Sequence, residues 1–269
     1  MACTLSVAFL NAQQTDVRRR TTFVELDAVV VDSDGHTVTG LTRDDFQVRE
    51  DGQPVSLTSF SEVSADQSNQ NDARSIVLLL GTTSPAATLD EYVMRIVRLF
   101  ATRMQVADPA ALGLKFNGNI FVSGSLASVA RQLEPTAHRR KTVVCVGAEG
   151  ACQSSLQDTK SKMNNPQWAN WVETISAAAR ANMSYYFINP TGLAGGNSND
   201  LGGGPVERTG GMAFRTNNFD GVVNRIWDEA GHYYLLGYEP LARLQELHSI
   251  DVGVGRKGLR VRARQYRGD

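Results

Sequence analysis

The chain has 269 residues, of which 42% are hydrophobic and 20% are charged, so it can bury a substantial core and is unlike an intrinsically disordered protein. Its 27 Lys and Arg residues and 28 Asp and Glu residues give a net charge of −1, which provides no overall field to attract nucleic acid or an anionic membrane. All apolar runs are far shorter than the ~18 residues that a membrane-spanning helix needs, so no transmembrane segment is expected.

Residues 1–16 are interpreted as the remnant of a secretory signal. The first 14 residues, MACTLSVAFLNAQQ, contain a short apolar stretch that ends in Asn-Ala-Gln but lacks the basic beginning of a complete signal. This pattern favours export to the periplasm, the cell envelope or the exterior. A frayed N-terminus on a cytoplasmic protein is the alternative.

Residues 17–63 are predicted to form strands and turns, because apolar and polar side chains alternate there. Residues 32–35 (DSDG) predict a tight hairpin turn after a strand at 24–30. Asp51-Gly52 predicts a second turn, between strands at 46–49 and 55–59. Residues 64–72 are polar, without apolar periodicity, and are interpreted as a linker.

Residues 73–230 are predicted to form an α/β domain. Apolar runs at 75–80, 142–147 and 183–188 are typical of strands buried on both faces of a parallel sheet, and shorter strands are expected at 111–116, 119–122 and 212–214. Apolar residues recur at helical spacing within 89–104, 126–133, 168–179 and 219–230. This alternation predicts a doubly wound, Rossmann-like parallel sheet with right-handed crossovers.

In residues 231–269, apolar and polar side chains again alternate with a period of two residues, which predicts three more strands. Three strands alone make a marginal sheet. We therefore expect residues 17–63 and 231–269 to build one β-sandwich, with the α/β domain inserted between its two halves.

Five separated blocks of this sequence resemble the von Willebrand factor A (VWA) related proteins that are abundant in Acidobacteria. They are VVVDSDGHTVTGLTRDDFQVREDGQPVSLTSF (29–60), RRKTVVCVGAEG (139–150), AAARANMSYYFINPTGL (177–193), RTGGMAF (208–214), and HYYLLGYEP (232–240) followed by GLRVRARQY (258–266). The resemblance implies an exported protein with a β segment, an A-type domain and a closing β segment.

The resemblance also implies a metal-ion-dependent adhesion site at the carboxyl ends of the parallel strands. The family pattern is Asp-x-Ser-x-Ser after the first strand, a Thr from a second loop and an Asp after the fourth strand, which together hold Mg²⁺. Here Gly81 replaces the Asp, Pro85 replaces the second Ser, and the second loop is absent. Thr83 keeps one hydroxyl, and Glu149 lies one residue away from the last position. This degenerate set predicts no cofactor, and Mg²⁺ is disfavoured.

The expected function is non-catalytic binding of an unidentified protein partner. The loops after residues 80, 122 and 147 are predicted to face that partner through Thr82, Thr83, Ser84, Ser123 and Glu149. The sequence presents no acid/base pair, no nucleophile with a base and no phosphate-binding loop, so an enzyme is not expected. A Mg²⁺-dependent adhesion module and a structural spacer of the envelope are the alternatives.

Several motifs are assigned structural roles. Residues 253–258 match G-x-G-x-x-G, but the alternation that follows predicts a β-turn and not a dinucleotide site. Residues 32–35 resemble the start of a calcium loop that lacks its closing Glu, so a hairpin turn is preferred. The four histidines show no ligand spacing and are expected to be solvated.

Three further features are also expected to be structural. Cys145 is expected to be a small core residue, with pairing to Cys152 as the alternative; the chain has only three cysteines and no C-x-x-C spacing, which disfavours a disulfide scaffold or a zinc ribbon. Trp168 and Trp171 are expected to anchor the domain core. A basic stripe is expected to be a solvated strand face that discourages edge pairing, with a surface that binds an anionic glycan or lipid as the alternative. It comprises Arg256, Lys257, Arg260, Arg262, Arg264 and Arg267.

Overall fold

The computed structural model describes residues 23–65, 75–81, 87–105, 123–135, 140–147, 166–190, 204–241 and 247–268. The strands are β1 (Val24–Val31), β2 (Phe46–Glu50), β3 (Gln53–Val55), β4 (Leu57–Ser64), β5 (Ser75–Gly81), β6 (Lys141–Gly147), β7 (Met183–Asn189), β8 (Ala213–Arg215), β9 (His232–Tyr238), β10 (His248–Val254), β11 (Arg260–Ala263) and β12 (Tyr266–Arg267). The helices are α1 (Ala87–Arg103), α2 (Ser123–Leu133), α3 (Pro166–Arg180), α4 (Pro205–Arg208) and α5 (Phe219–Gly231), with one turn of 3-10 helix at Arg43–Asp45.

Strands β5 to β8 form a parallel sheet in the order β5-β6-β7-β8, with helices on both faces. Successive residues of a strand point to opposite faces, and β6 shows the consequence. Val144 packs with α1 and α5, whereas Val143 packs with α2 and α3. This arrangement confirms the predicted mixed α/β class and the parallel sheet.

The other eight strands form two antiparallel sheets. Sheet A has the order β11-β1-β9-β4, and sheet B has the order β12-β10-β2-β3. Each sheet therefore combines strands that precede the parallel sheet in sequence with strands that follow it. The two sheets enclose one core, in which Leu26 and Tyr234 of sheet A pack with Val48 and Ile250 of sheet B. A side chain such as Leu26, which is fully buried, contributes on the order of 2 kcal/mol to this core.

The chain leaves sheet A and returns to it at neighbouring positions. Ser64, at the end of β4, pairs with His232, at the start of β9. The backbone N–H of Ala65 donates to the carbonyl of Gly231 at 2.9 Å. The two ends of the α/β segment are thus held side by side.

Of the two predicted hairpins, one is confirmed. Asp51 and Gly52 have φ values of 48° and 78°, and they join β2 to β3 as a tight turn. The first predicted hairpin is much shorter than expected: Thr37 bridges Val31, the Asp32 N–H donates to the His36 carbonyl at 3.0 Å, and the Val38 N–H donates to the Val30 carbonyl at 2.9 Å. The edges of β1 are instead taken by β9 and β11, which the chain supplies much later.

The predicted strand at 55–59 divides between the two sheets. β3 ends at Val55 in sheet B, and β4 begins at Leu57 in sheet A. The signal remnant, the strands expected at 111–116 and 119–122, and most of the linker lie outside the described residues.

Candidate functional site

The carboxyl ends of the parallel strands form the edge at which open α/β sheets bind ligands. β5 ends at Gly81 and β6 ends at Gly147, and these two glycines are neighbours in the sheet. Four predicted site residues lie outside the described part of the chain: Thr82, Thr83, Ser84 and Glu149. Ser123 is the first residue of α2, and its side chain is also outside that part.

The described strand ends do not fit a magnesium site. Mg²⁺ is held by carboxylate oxygens, usually with several waters. The strands end in Gly81, Gly147, Asn189 and Arg215, and none of these four residues has a carboxylate. Gly81, at the position where the resembled family carries Asp, has no side chain at all. We therefore assign no chemistry to a metal at this edge.

The opposite, amino-terminal edge of the parallel sheet packs against sheet A. Arg140 and Asn182 precede β6 and β7 directly, and both reach Asp27 on β1. The Asn182 amide donates to Asp27 at 3.0 Å, and an Arg140 nitrogen lies 3.9 Å from the other carboxylate oxygen. Burial raises the pKa of Asp27, although Arg140 and Asn182 act in the opposite direction. We call this contact region the junction.

A second set of charged groups in the junction surrounds Glu229 of α5, which is fully buried. Tyr186 donates to Glu229 at 2.8 Å, Arg225 donates to it at 3.0 Å, and Arg262 of β11 forms an ion pair with it. Burial opposes ionisation of Glu229, but Arg262 and these hydrogen bonds lower its pKa overall. Burial and the neighbouring Glu229 raise the pKa of Tyr186 to about 12.

The structure corrects the interpretation of the basic stripe, because much of it is not solvated. Arg264 donates to the carbonyl of Ala179 at 2.9 Å and also to the carbonyl of Glu25. Arg267 is only 3% exposed and pairs with Glu50, which is 1% exposed. The alternation of β11 places its arginines on the outer face of sheet A, where the α/β segment covers Arg262, whereas Arg260 remains exposed.

At the outer end of the stripe, Arg256 is exposed but still has an acidic partner. Its Nε and Nη2 atoms donate to the two carboxylate oxygens of Asp45 at 2.7 and 2.8 Å. This pair and the hydrogen bonds from Thr42 lower the pKa of Asp45 to about 2. The acidic partners of the stripe come from other elements, which is why the local sequence did not reveal them.

The RTGG block at 208–211 is a packing motif of the junction. The Thr209 hydroxyl accepts from the backbone of Tyr185 at 2.9 Å and donates to the Pro205 carbonyl at 2.8 Å. Gly210 has φ of 80°, and a Cβ there would lie 2.8 Å from the backbone of Ala263. A Cβ on Gly211 would lie 1.8 Å from the Tyr185 carbonyl oxygen. Both glycines are therefore needed for close backbone contact.

The expectation that all histidines are solvated is wrong for His248. Its Nδ1 lies 2.6 Å from Asp51 and 3.9 Å from Glu50, and its side chain is 14% exposed. The pairing of β2 with β10 brings these residues together across the sheet. Because Arg267 already neutralises Glu50, we assign this cluster to the joint between β2, β10 and β12.

A second cluster lies in the turn at 32–35. Asp32, Asp34 and His36 place potential ligand atoms close together. The Asp32 carboxylate accepts from the backbone N–H groups of Asp34 and His36, each at 2.9 Å. This is the arrangement of an Asp that stabilises its own turn, in agreement with the turn predicted there.

Two core assignments also change. Cys145 is buried as expected, but it is disulfide-bonded, and the other cysteines, Cys3 and Cys152, lie outside the described residues. Trp171 is buried, but its contacts are not with the parallel sheet. It packs edge-on against Tyr266 of β12, with ring centroids 5.4 Å apart. The small residues of α3 face the sheet instead. The Trp168 side chain is outside the described part of the chain.

A cleft of about 720 Å³ opens beside the junction, between β10, β11 and the segment that joins α4 to β8. Its lining is mixed, with Arg208, Asp251 and Gln265 alongside Val252 and Val261. The volume lies within the range of small-molecule sites. The sequence carried no signal for this cleft, because its walls come from three separate segments.

No protein-family model, curated protein or solved structure matches this chain. Within the described ranges, none of the helices is both long and apolar enough to cross a membrane.

Proposed function

We propose that the chain is a VWA-type binding module, in which the α/β segment is a domain inserted into a β-sandwich built from both ends of the chain. The proposal is supported by the adjacent positions of Ala65 and Gly231, since an inserted domain needs its two ends close together. It is also supported by the helices on both faces of the parallel sheet. The resemblance to VWA related proteins of the Acidobacterial type supplies the family.

The proposed activity is non-catalytic binding of a protein partner through the loops at the carboxyl edge of the parallel sheet. One observation carries this proposal: the sandwich is docked on the opposite, amino-terminal edge through Asp27, Arg140 and Asn182. β6 and β7 are seven residues long, so their carboxyl ends lie roughly 20 Å from this junction. That edge is thereby directed away from the sandwich and towards a partner.

Binding is proposed to be independent of metal, because Gly81 and Gly147 supply no ligand oxygens from their side chains. The proposed location is the periplasm, the cell envelope or the exterior. The disulfide at Cys145 favours it, because disulfides persist in oxidising compartments.

Site-specific photo-crosslinking tests the proposal. A photoreactive amino acid is placed at position 83, and a matched control carries it at position 257 in the exposed turn between β10 and β11. The full chain is incubated with an envelope extract of the native organism. We expect one partner to crosslink from position 83 and not from position 257.

The same experiment separates the alternatives. Combined Thr82→Ala, Ser84→Ala and Glu149→Ala substitutions, made in the chain that carries the photoreactive amino acid at position 83, should abolish crosslinking and leave the melting temperature unchanged. A spacer would give no specific crosslink from position 83. A metal-dependent adhesion module would lose its crosslink when EDTA is added.

A further inference from the structure

The cleft beside the junction has two guanidinium groups at its wall. Arg208 of α4 donates to the Gln265 side chain at 2.6 Å, and its guanidinium carbon lies 5.6 Å from the centre of the Tyr266 ring. Arg262 of β11 places its Nη1 atom 3.4 Å from the carbonyl oxygen of Gly211. Gln265, Tyr266 and Gly211 all line the cleft. The α/β segment and the sandwich thus each bring one permanent positive charge to the same cavity.

The charges behind this wall do not balance. In the described part of the junction, two buried carboxylates, Asp27 and Glu229, are shared by four arginines: Arg140, Arg225, Arg262 and Arg264. Arg264 donates to neutral oxygens, such as the Ala179 carbonyl, and the half-buried Glu25 acts on it more weakly than Asp27 does. A buried positive charge without a full counter-charge is costly. An anion held beside Arg262 is therefore stabilised by the surrounding excess of positive charge.

The protein partners of Arg262 leave part of its guanidinium for a ligand. Its Nη2 atom pairs with Glu229, whereas Nη1 makes only the long contact with Gly211 at the cleft. The side chain also keeps 17% of its surface exposed. A guanidinium offers five N–H groups in a planar fork. Nη1 can thus donate to a carboxylate in the cleft while Nη2 remains paired with Glu229.

The rest of the lining limits which anion fits. Glu207 and Asp251 are exposed, so they lie at the rim of the cleft, where they repel a ligand that carries several negative charges. Met212, Val252 and Val261 are half-buried and provide apolar surface. The lining therefore fits a single negative charge on an apolar body.

We propose that this cleft binds a small organic monocarboxylate. The carboxylate accepts hydrogen bonds from Arg208 and Arg262, and the apolar body lies against Met212, Val252 and Val261. Guanidinium groups bind carboxylates through strong, directed hydrogen bonds. Ligand sites are also frequent at the boundary between two parts of a fold. This site is separate from the loops at the carboxyl edge of the parallel sheet, so it does not depend on the function proposed above.

Isothermal titration calorimetry on the full chain at pH 7 tests this proposal. The probes are hexanoate, benzoate, 4-phenylbutanoate and indole-3-acetate, each compared with its neutral amide, and phenylsuccinate as a ligand with two charges. We expect saturable binding of at least one monocarboxylate, and binding about tenfold weaker for its amide and for phenylsuccinate. The absence of saturable binding by all the monocarboxylates, or equal binding of the amides or of phenylsuccinate, would overturn the proposal.

Arg208→Gln is the key variant, because it removes one guanidinium from the cleft and leaves the pair between Arg262 and Glu229 intact. Lys257→Gln is the matched control, since it removes the same charge from the exposed turn between β10 and β11. We expect the tightest monocarboxylate to bind Arg208→Gln about tenfold more weakly and Lys257→Gln about as well as the unaltered chain. An equal loss in both variants would indicate general charge attraction and not a site in the cleft.

Methyl NMR spectra of the unaltered chain give a second measurement that needs no variant. The methyl signals of Met212, Val252 and Val261 should shift in proportion to occupancy when the same monocarboxylate is added. Shifts confined to other methyl groups would place the ligand elsewhere and would also contradict the proposal.

Discussion

Glu229 is the buried anion on which Arg262 and Arg225 converge. Replacing it in Glu229→Gln keeps the shape but leaves Arg262 without its counter-charge in the junction. Removing one partner of a buried ion pair is strongly destabilising. We expect the free energy of unfolding, measured with urea at pH 7, to fall by roughly 3 kcal/mol. Asp220→Asn, which breaks an exposed pair with Arg95, should change it by less than about 1 kcal/mol.

The stability difference between the unaltered chain and Glu229→Gln depends on pH. The pKa of Glu229 is lowered from its ordinary value of 4.5 in the folded protein. Its stabilising contribution is therefore complete above pH 4.5 and is lost as the pH falls through the folded pKa. The stability gap between the unaltered chain and Glu229→Gln should narrow in acid. A gap that stays constant from pH 7 to pH 3 would show that Glu229 does not act through its charge.

Gly211 tests whether the RTGG block is a packing motif. Gly211→Ala would place a methyl group 1.8 Å from the backbone oxygen of Tyr185, and neither backbone can move freely. We expect a loss of several kcal/mol of stability or failure to fold, on the order of the largest single-residue effects. Gly253→Ala is the control, since its nearest neighbour would be 3.9 Å away. Equal melting temperatures for the two variants would contradict this role.

At the residue scale, the sequence indicated which residues form strands but not what their side chains contact. The alternation of Arg260, Arg262 and Arg264 correctly predicted a strand at β11. Their partners, such as Glu229 and the Ala179 carbonyl, lie on helices distant in sequence. A stripe without nearby acids therefore resembled a solvated face. Its burial depends on tertiary packing, which local patterns do not encode.

The glycines that end β5 and β6 predict how the carboxyl edge responds to metal. With Gly81 and Gly147 side by side, the strand ends provide no carboxylate. Only a ligand that prefers the folded state raises the melting temperature. We expect titration with Mg²⁺, Mn²⁺ and Ca²⁺ up to about 1 mM to leave the melting temperature unshifted. Even weak extracellular calcium sites have dissociation constants of about 0.1 to 1 mM, so a working site would be largely occupied at this concentration. A rise of several degrees that disappears in Glu149→Ala would restore the metal-dependent alternative.

At the element scale, prediction succeeded where the signal was local. The apolar runs predicted the three long parallel strands, and Asp51-Gly52 predicted its turn because both residues tolerate positive φ. The turn at 32–35 also formed, but turn chemistry alone does not choose the strand that pairs with β1. That choice was decided by β9 and β11, whose apolar faces complete the core.

At the scale of the whole molecule, sheets A and B each need strands from both parts of the chain. Truncation after Gly231 removes β9, which lies between β1 and β4, and also removes β10 to β12. Sheet A would lose all its pairing, and sheet B would be reduced to the β2–β3 hairpin. We expect an unstable, aggregation-prone protein, because an isolated hairpin is marginal in water.

Circular dichroism and amide exchange provide the measurements for this truncation. The amides of β1 should lose all protection, and the melting temperature should fall or the transition should disappear. A soluble truncated chain with an unchanged melting temperature and protected β1 amides would show that the two antiparallel sheets do not depend on the C-terminal strands.

The hydrogen bond between Ala65 and Gly231 also has a consequence for how the protein folds. It closes a loop that contains the entire α/β segment, so β4 and β9 pair only after a large loss of chain entropy. A folded α/β segment that holds its two ends together reduces that loss, which favours folding of the parallel sheet first. During synthesis, β1 to β4 emerge early but remain without β9 to β12 until the end. β1 and β4 are therefore among the last strands to be paired, although they are made early, and the nascent chain carries unprotected sheet edges while the α/β segment is synthesised.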